Sequence, residues 1–279
     1  MAFRRFGIDM SPDQVEVWAR GDGLVVEEPA ALARQTRTGR ALAFGTAALE
    51  LAAERAGEVE LSWPLGVDRL ADTRAAEQLL RQVIFRVVGR LLFSRHELML
   101  GVSAELSTSS RRALLQVAMA SGARMAHMMD LPVAAALGAG LPIASWTPLP
   151  LLFLLPSAAQ AAIVCHEGLL GHRAIRSPRG ERGEGESAWR SELGLALLTE
   201  LVQSLLEEMP AALKQSAIES GVAIGGRSHG LAEIGERLTH STGLATRLLP
   251  DPNHCVAKGT EVALARIEAL GSQGLLYLR

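Results

Sequence analysis

Residues 123–142 read ARMAHMMDLPVAAALGAGLP. The apolar run at 125–129 predicts a short strand. Pro132 suits the first turn of a helix, where its missing N–H costs nothing, and Gly140 suits its end, so 132–139 is predicted as a short helix. Upstream, a cluster of hydroxyls from Ser107 to Ser110 reads as the cap of a helix over 107–120 that Gly122 closes, and 97–102 reads as a buried strand. Apolar residues at 79, 80, 83, 84, 87, 88, 91 and 92 trace one face of a helix over 75–93, with Asp72 or Thr73 as its cap. Further upstream, 6–10, 14–18 and 23–27 are short apolar or alternating runs, and Arg20-Gly21-Asp22-Gly23 is the turn between the last two. The chain thus opens as a small antiparallel meander.

Downstream of 142 the same order returns. Runs over 151–155, 159–165 and 169–175 form a second meander. Ser177 to Ser187 (SPRGERGEGES) is charged and glycine-rich, a solvated loop or linker. A long helix over 188–208 follows, Pro210 opens another, and 222–224 is a strand running into Gly225-Gly226. Helices over 231–239 and 254–270 complete the pattern. The two halves share negligible sequence identity, so the repeat is one of plan: two copies of an α/β lobe, at 1–145 and 146–279, with the last helix free to pack back on the first lobe.

Composition narrows the classes of function. Of 279 residues 48% are hydrophobic and 21% charged, enough apolar content for sizeable cores. A net charge of -2 and a pI near 6.4 argue against a protein that grips nucleic acid by neutralising phosphates. Residues 131–165 hold no Asp, Glu, Lys or Arg, but Pro142, Pro148, Pro150 and Pro156 break the stretch, which excludes an unbroken spanning helix. Cys165 and Cys255 have no partner pattern and suit a reducing cytosol. His166 and His172 are six apart on a predicted strand and turn, not at the helical spacing of a zinc-protease motif, so no metal site is expected. The chain carries neither a nucleophile elbow nor a Gly-x-x-x-x-Gly-Lys-Ser/Thr loop.

Spaced motifs nevertheless resemble those of the bacterial actin family, specifically MreB and Mbl. Phe6-Gly7-Ile8-Asp9 is similar to the family's opening strand and its Asp, and Val25-Val26-Glu27-Glu28-Pro29 to its Asn-Glu-Pro segment. Ser121-Gly122-Ala123-Arg124 and the run from Pro132 to Pro142 match closely. So do Thr242-Gly243 and the run from Asp251 to Gly259, and Gly221 to Gly226 resembles the adenosine-side strand and glycine turn. The resemblance implies an actin-like ATPase fold, two related lobes around a nucleotide cleft, each a mixed sheet with flanking helices. It implies ATP and Mg²⁺ as the family's cofactors and filaments as its assembly.

The departures from the family pattern decide the functional expectation. Where the resemblance implies a glycine- and threonine-rich phosphate loop after the first strand, the chain has Asp9-Met10-Ser11-Pro12-Asp13-Gln14, and Pro12 has no N–H to donate. The second phosphate loop is replaced by Phe153-Leu154-Leu155-Pro156-Ser157-Ala158-Ala159, with Phe153 in the place of the metal-facing acid. The family's Glu-Glu-Pro is reduced to Asp130-Leu131-Pro132. The chain is short at 177–187, where the resemblance implies the second lobe's outer subdomain.

Asp9, Ser11, Asp130, Gly225 and Gly226 are therefore expected as a vestigial nucleotide cleft with no catalytic residue. Taken alone, Asp9 reads as a solvated acid at a strand end. Gly225-Gly226 reads equally as an anion contact or as a turn requiring positive φ. Leu91-Leu92-Phe93 reads as a membrane contact, as in some relatives, or as the end of the core stripe. The expectation is a divergent cytoskeletal or scaffold protein of cell-shape and envelope morphogenesis, a pseudo-ATPase needing no cofactor. Its expected partners are itself or a full-length MreB-like paralogue, envelope-assembly proteins and the inner membrane surface, in the cytoplasm and without nucleic acid. The alternatives are an active filament-forming ATPase and a sugar-kinase-like phosphotransferase.

Overall fold

The computed structural model describes residues 4–89, 96–166, 168–178 and 188–270. By its packing the chain divides into two units, Met1–Met129 and Asp130–Arg279.

In the first unit, β1 (Arg4–Met10), β2 (Gln14–Ala19) and β3 (Gly23–Pro29) form the antiparallel meander. β4 (Leu32–Gln35), β5 (Ala41–Phe44), α1 (Thr46–Glu54) and β6 (Val59–Ser62) follow, and sequence pattern had left this stretch unassigned. They build a second, three-stranded sheet in the order β5-β4-β6, with α1 packed on it over Ala31, Ala33, Ala48 and Val59. α2 (Thr73–Val88) then carries the expected stripe, burying Leu79, Leu80, Val83 and Ile84. Asp72 caps it by accepting from the Ala75 N–H at 3.0 Å. That bond is the main reason the Asp72 carboxyl lies below the usual carboxylate range, and an ion pair with Arg34 reinforces it. β7 (His96–Val102), α3 (Thr108–Ala120) and β8 (Ala123–Asp130) complete the unit. Ser107 caps α3 as expected, its hydroxyl accepting from the Ser110 N–H. The main sheet runs β3-β2-β1-β7-β8, with β7 parallel to β1.

The second unit opens with α4 (Leu131–Gly138) and the meander β9 (Leu149–Leu154), β10 (Ala158–Cys165) and β11 (Gly168–Arg176). A single 3₁₀ turn, Ala188–Arg190, precedes α5 (Glu192–Glu207). The helix starts later than the predicted 188 because the Ser191 hydroxyl accepts from the Gly194 N–H and fixes the cap there. α6 (Ala211–Ser220), β12 (Val222–Gly226), α7 (Leu231–Thr242), β13 (Thr246–Leu248) and α8 (Cys255–Leu270) follow. The sheet runs β11-β10-β9-β12-β13, with β9, β12 and β13 parallel. Each main sheet therefore sets its meander's first strand beside the parallel strand that follows, which is the predicted repeat. Every residue of β9 and β10 is buried, and this is why those runs are apolar, Gln160 apart, rather than alternating. Among the described residues the second unit holds this one sheet, without a counterpart of the small sheet of the first unit.

The division after Met129 differs from the expected boundary at 145/146. The cause is a close crossing of α4 with α8, which keeps α4 in the second unit. Gly138 and Gly259 meet there: a Cβ on Gly138 would stand 2.7 Å from the Gly259 nitrogen, and one on Gly259 would stand 2.8 Å from the Gly138 nitrogen. The obstacles are backbone atoms, which cannot swing aside. Gly259→Ala is expected to lower the unfolding free energy by about 1–3 kcal/mol in urea denaturation, the usual cost of overpacking.

Candidate functional site

In the first unit the structure brings Asp9 and Ser11 together. Both are fully buried, and the Ser11 hydroxyl donates to Asp9 Oδ1 at 2.5 Å. This corrects the reading of Asp9 as a solvated turn acid. Asp9 lies inside β1, flanked by β2 and β7, opposite Glu16 on one side and Gly101 on the other. Glu16 is also fully buried and stands opposite Glu27 of β3, so three acids form a row across the meander. The Gln14 amide donates to Glu16 Oε1 at 3.3 Å and to Glu27 Oε1 at 3.0 Å. Only the strand register reveals this row.

Glu28, next along β3, organises the segment that carries the Glu-Pro resemblance. Its Oε2 accepts from both the N–H and the hydroxyl of Thr46 at 2.9 Å, which caps α1 from outside the helix. Its Oε1 takes the Arg86 guanidinium of α2 at 2.6 Å. Burial pushes the Glu28 carboxyl up, but the Thr46 hydrogen bonds and Arg86 outweigh it and hold it below the usual carboxylate range.

Asp130, Gly225 and Gly226 belong to the second unit. Asp130 ends β8 and stands at the N-cap of α4, half-buried, with no side-chain hydrogen bond to the helix. Gly225 and Gly226 lie within β12 rather than in a turn after it. Gly226 has φ 119°, and a Cβ there would stand 2.6 Å from the Leu154 nitrogen, so close approach of β12 to β9 requires glycine. A Cβ on Gly225 would stand 2.7 Å from Leu249 Cδ1 and 3.3 Å from the Phe153 ring. The structure therefore does bring Gly225 against Phe153, and what they form is apolar packing.

Several donors near this pair are engaged within the chain. Gly226 N–H donates to the Pro252 carbonyl at 2.9 Å, and the Arg227 and Ser228 N–H groups both reach the Leu154 carbonyl. In the β9–β10 turn, Leu155 N–H donates to the Ala158 carbonyl at 2.8 Å, and Pro156 has no N–H. A triphosphate needs N–H donors directed at it and Mg²⁺ needs oxygen ligands. The second unit offers neither at Phe153–Leu155, so these residues do not fit that group. Leu91, Leu92 and Phe93 lie outside the described residues.

Comparison with known proteins follows the same lines. A model of the MreB/Mbl protein family matches residues 3–179 and 191–272. The cell shape-determining protein Mbl of Bacillus cereus is 22% identical over 332 aligned residues, covering 99% of this chain and 100% of its own. The crystal structure of MreB5 of Spiroplasma citri bound to AMPPNP superposes with a TM-score of 0.83 at 20% identity, covering 98% of this chain and 99% of that one. The MamK double helical filament superposes with a TM-score of 0.71 at 13% identity, covering 95% and 99%. These structural likenesses show an actin-like fold.

Glu28→Gln is expected to cost about 1.5 kcal/mol at neutral pH, because the hydrogen bonds to a charged acceptor are weakened. Since folding lowers the Glu28 pKa, its contribution is full above the ordinary carboxylate range and is lost as pH falls through the folded-state value. Thermal melts of the two proteins should therefore converge in acid.

Proposed function

The chain belongs to the MreB/Mbl protein family, and from that premise we propose that it is a divergent actin-like scaffold of cell-shape or cell-envelope morphogenesis that assembles without hydrolysing ATP. The observation that carries the second half is the β9–β10 turn. Phe153 is fully buried against Gly225 where the resemblance implies a metal-facing acid, and the N–H groups of Leu155, Gly226, Arg227 and Ser228 donate within the chain. Exchanging phosphate-facing donors and an acid for apolar groups removes several charge-assisted hydrogen bonds at about 1.5–3 kcal/mol each. The cores of both units need none of those groups.

The scaffold's contacts are assigned to further copies of itself or to a full-length paralogue, a reading supported by the filament in which its fold neighbour MamK was solved. Envelope-assembly proteins and the inner face of the cell membrane complete the proposed surroundings. No helix among the described residues is long and apolar enough to cross a membrane. A membrane contact would therefore be peripheral, through the Leu91-Leu92-Phe93 triplet and its flanking Arg90 and Arg95. A second reading, an active filament-forming ATPase, is favoured by the AMPPNP bound to its fold neighbour MreB5.

With Mg-ATP the purified protein is expected to release phosphate no faster than buffer alone, and to sediment equally with ATP, with ADP and without nucleotide. Saturable micromolar binding of a fluorescent ATP, with phosphate release above background, would move the assignment to the second reading. Phe93→Asp is expected to abolish co-sedimentation with anionic liposomes. Unchanged pelleting would remove the membrane contact and leave the scaffold intact.

A further inference from the structure

Residues 180–190 form a junction between the two stretches that the family model matches, and Trp189 lies within it, outside the matched pattern. The structure describes both ends, Ser177 just after β11 and Trp189 in the 3₁₀ turn before α5. They converge on the same three-residue turn. Ser177 N–H donates to the Ser157 carbonyl at 2.8 Å. The Trp189 indole Nε1–H donates to the Leu155 carbonyl at 2.8 Å. Trp189 is fully buried in the core of the second unit, packed with Leu154, Leu198 and Leu231, and Leu155 is fully buried as well.

The β9–β10 turn is thus bracketed from both sides by the ends of the junction, while the exit of β12 closes on Leu154 behind it. A buried carbonyl left without a donor is costly, and an indole delivers its single N–H from a large, well-packed ring.

We propose that Trp189, with Ser177, is a built-in strut that fixes the β9–β10 turn in one conformation from within the chain, in place of a bound ligand. It deepens the proposed function and rests on its premise that this turn holds no phosphate. The strut makes the state of the second unit a property of the polypeptide, so no nucleotide cycle sets it. It also accounts for how the chain tolerates a shortened junction: both cut ends are pinned to one rigid point.

Amide hydrogen exchange on the whole protein tests this. Trp189→Phe keeps most of the ring and removes the N–H. The amides of Leu155 and Ser177 should then exchange about tenfold faster, the size expected for one lost hydrogen bond, while those of β1 and α8 stay unchanged. Acceleration spread evenly over the chain, or none, would overturn the strut and leave the scaffold assignment standing. In the wild-type protein, millimolar Mg-ATP should leave the Leu155 and Ser157 amides unaffected. Slowed exchange there would overturn the nucleotide-free reading and, with it, the strut as a substitute for a ligand. Should Trp189→Phe fail to fold, the wild-type indole protons decide. Trp189 should exchange far more slowly than Trp146, which is 71% exposed, and equal rates would overturn the proposal.

Discussion

A backbone amide or carbonyl buried without a partner is among the costliest defects a protein can carry, and the second unit is arranged around avoiding it at one turn. Strands β9 and β10 are buried along their whole length, so the turn joining them has little water to satisfy it. Around it, β10 takes the Leu155 N–H, the end of β11 meets the Ser157 carbonyl, Trp189 meets the Leu155 carbonyl, and the residues leaving β12 meet the adjoining Leu154 carbonyl. Each of those pieces is placed by the others. Gly226 must be glycine for β12 to come close enough to β9, and β12 must be that close for the amides after it to reach Leu154.

The division of labour in the fold follows from this. The cores are made of apolar stripes, such as Leu79, Leu80 and Val83 on α2, or Leu198, Leu201 and Val202 on α5, that cluster with the sheets. Phe153, Leu154 and Leu155 are all fully buried and add to that burial.

Sequence pattern made the helices and main strands legible wherever periodicity was strong, as in α2 and the strand–helix pair around Pro132. It failed at β4, β5 and β6, which have only four residues each, so charged positions such as Arg34 and Glu60 break any alternation. For the site, the lack of a glycine-rich run at 153–159 was readable from residue types alone. The burial of Asp9 was not, because it depends on β2 and β7 flanking it, and the register that sets Glu16 opposite exists only once the strands pair. Trp189 carries no local signal for its role, since its acceptor at Leu155 is distant in sequence and is a main-chain atom common to every residue.

The crossing of α4 with α8 has a bearing on how the protein is made. Among the described elements of its unit α4 leaves the ribosome first and α8 last, yet the Gly138–Gly259 contact joins them with almost no space between. Until α8 emerges, the surface of α4 that receives it has nothing to cover its small apolar side chains. That contact can therefore form only once α8 has emerged, and until then the nascent unit presents the uncovered face of α4 to premature association.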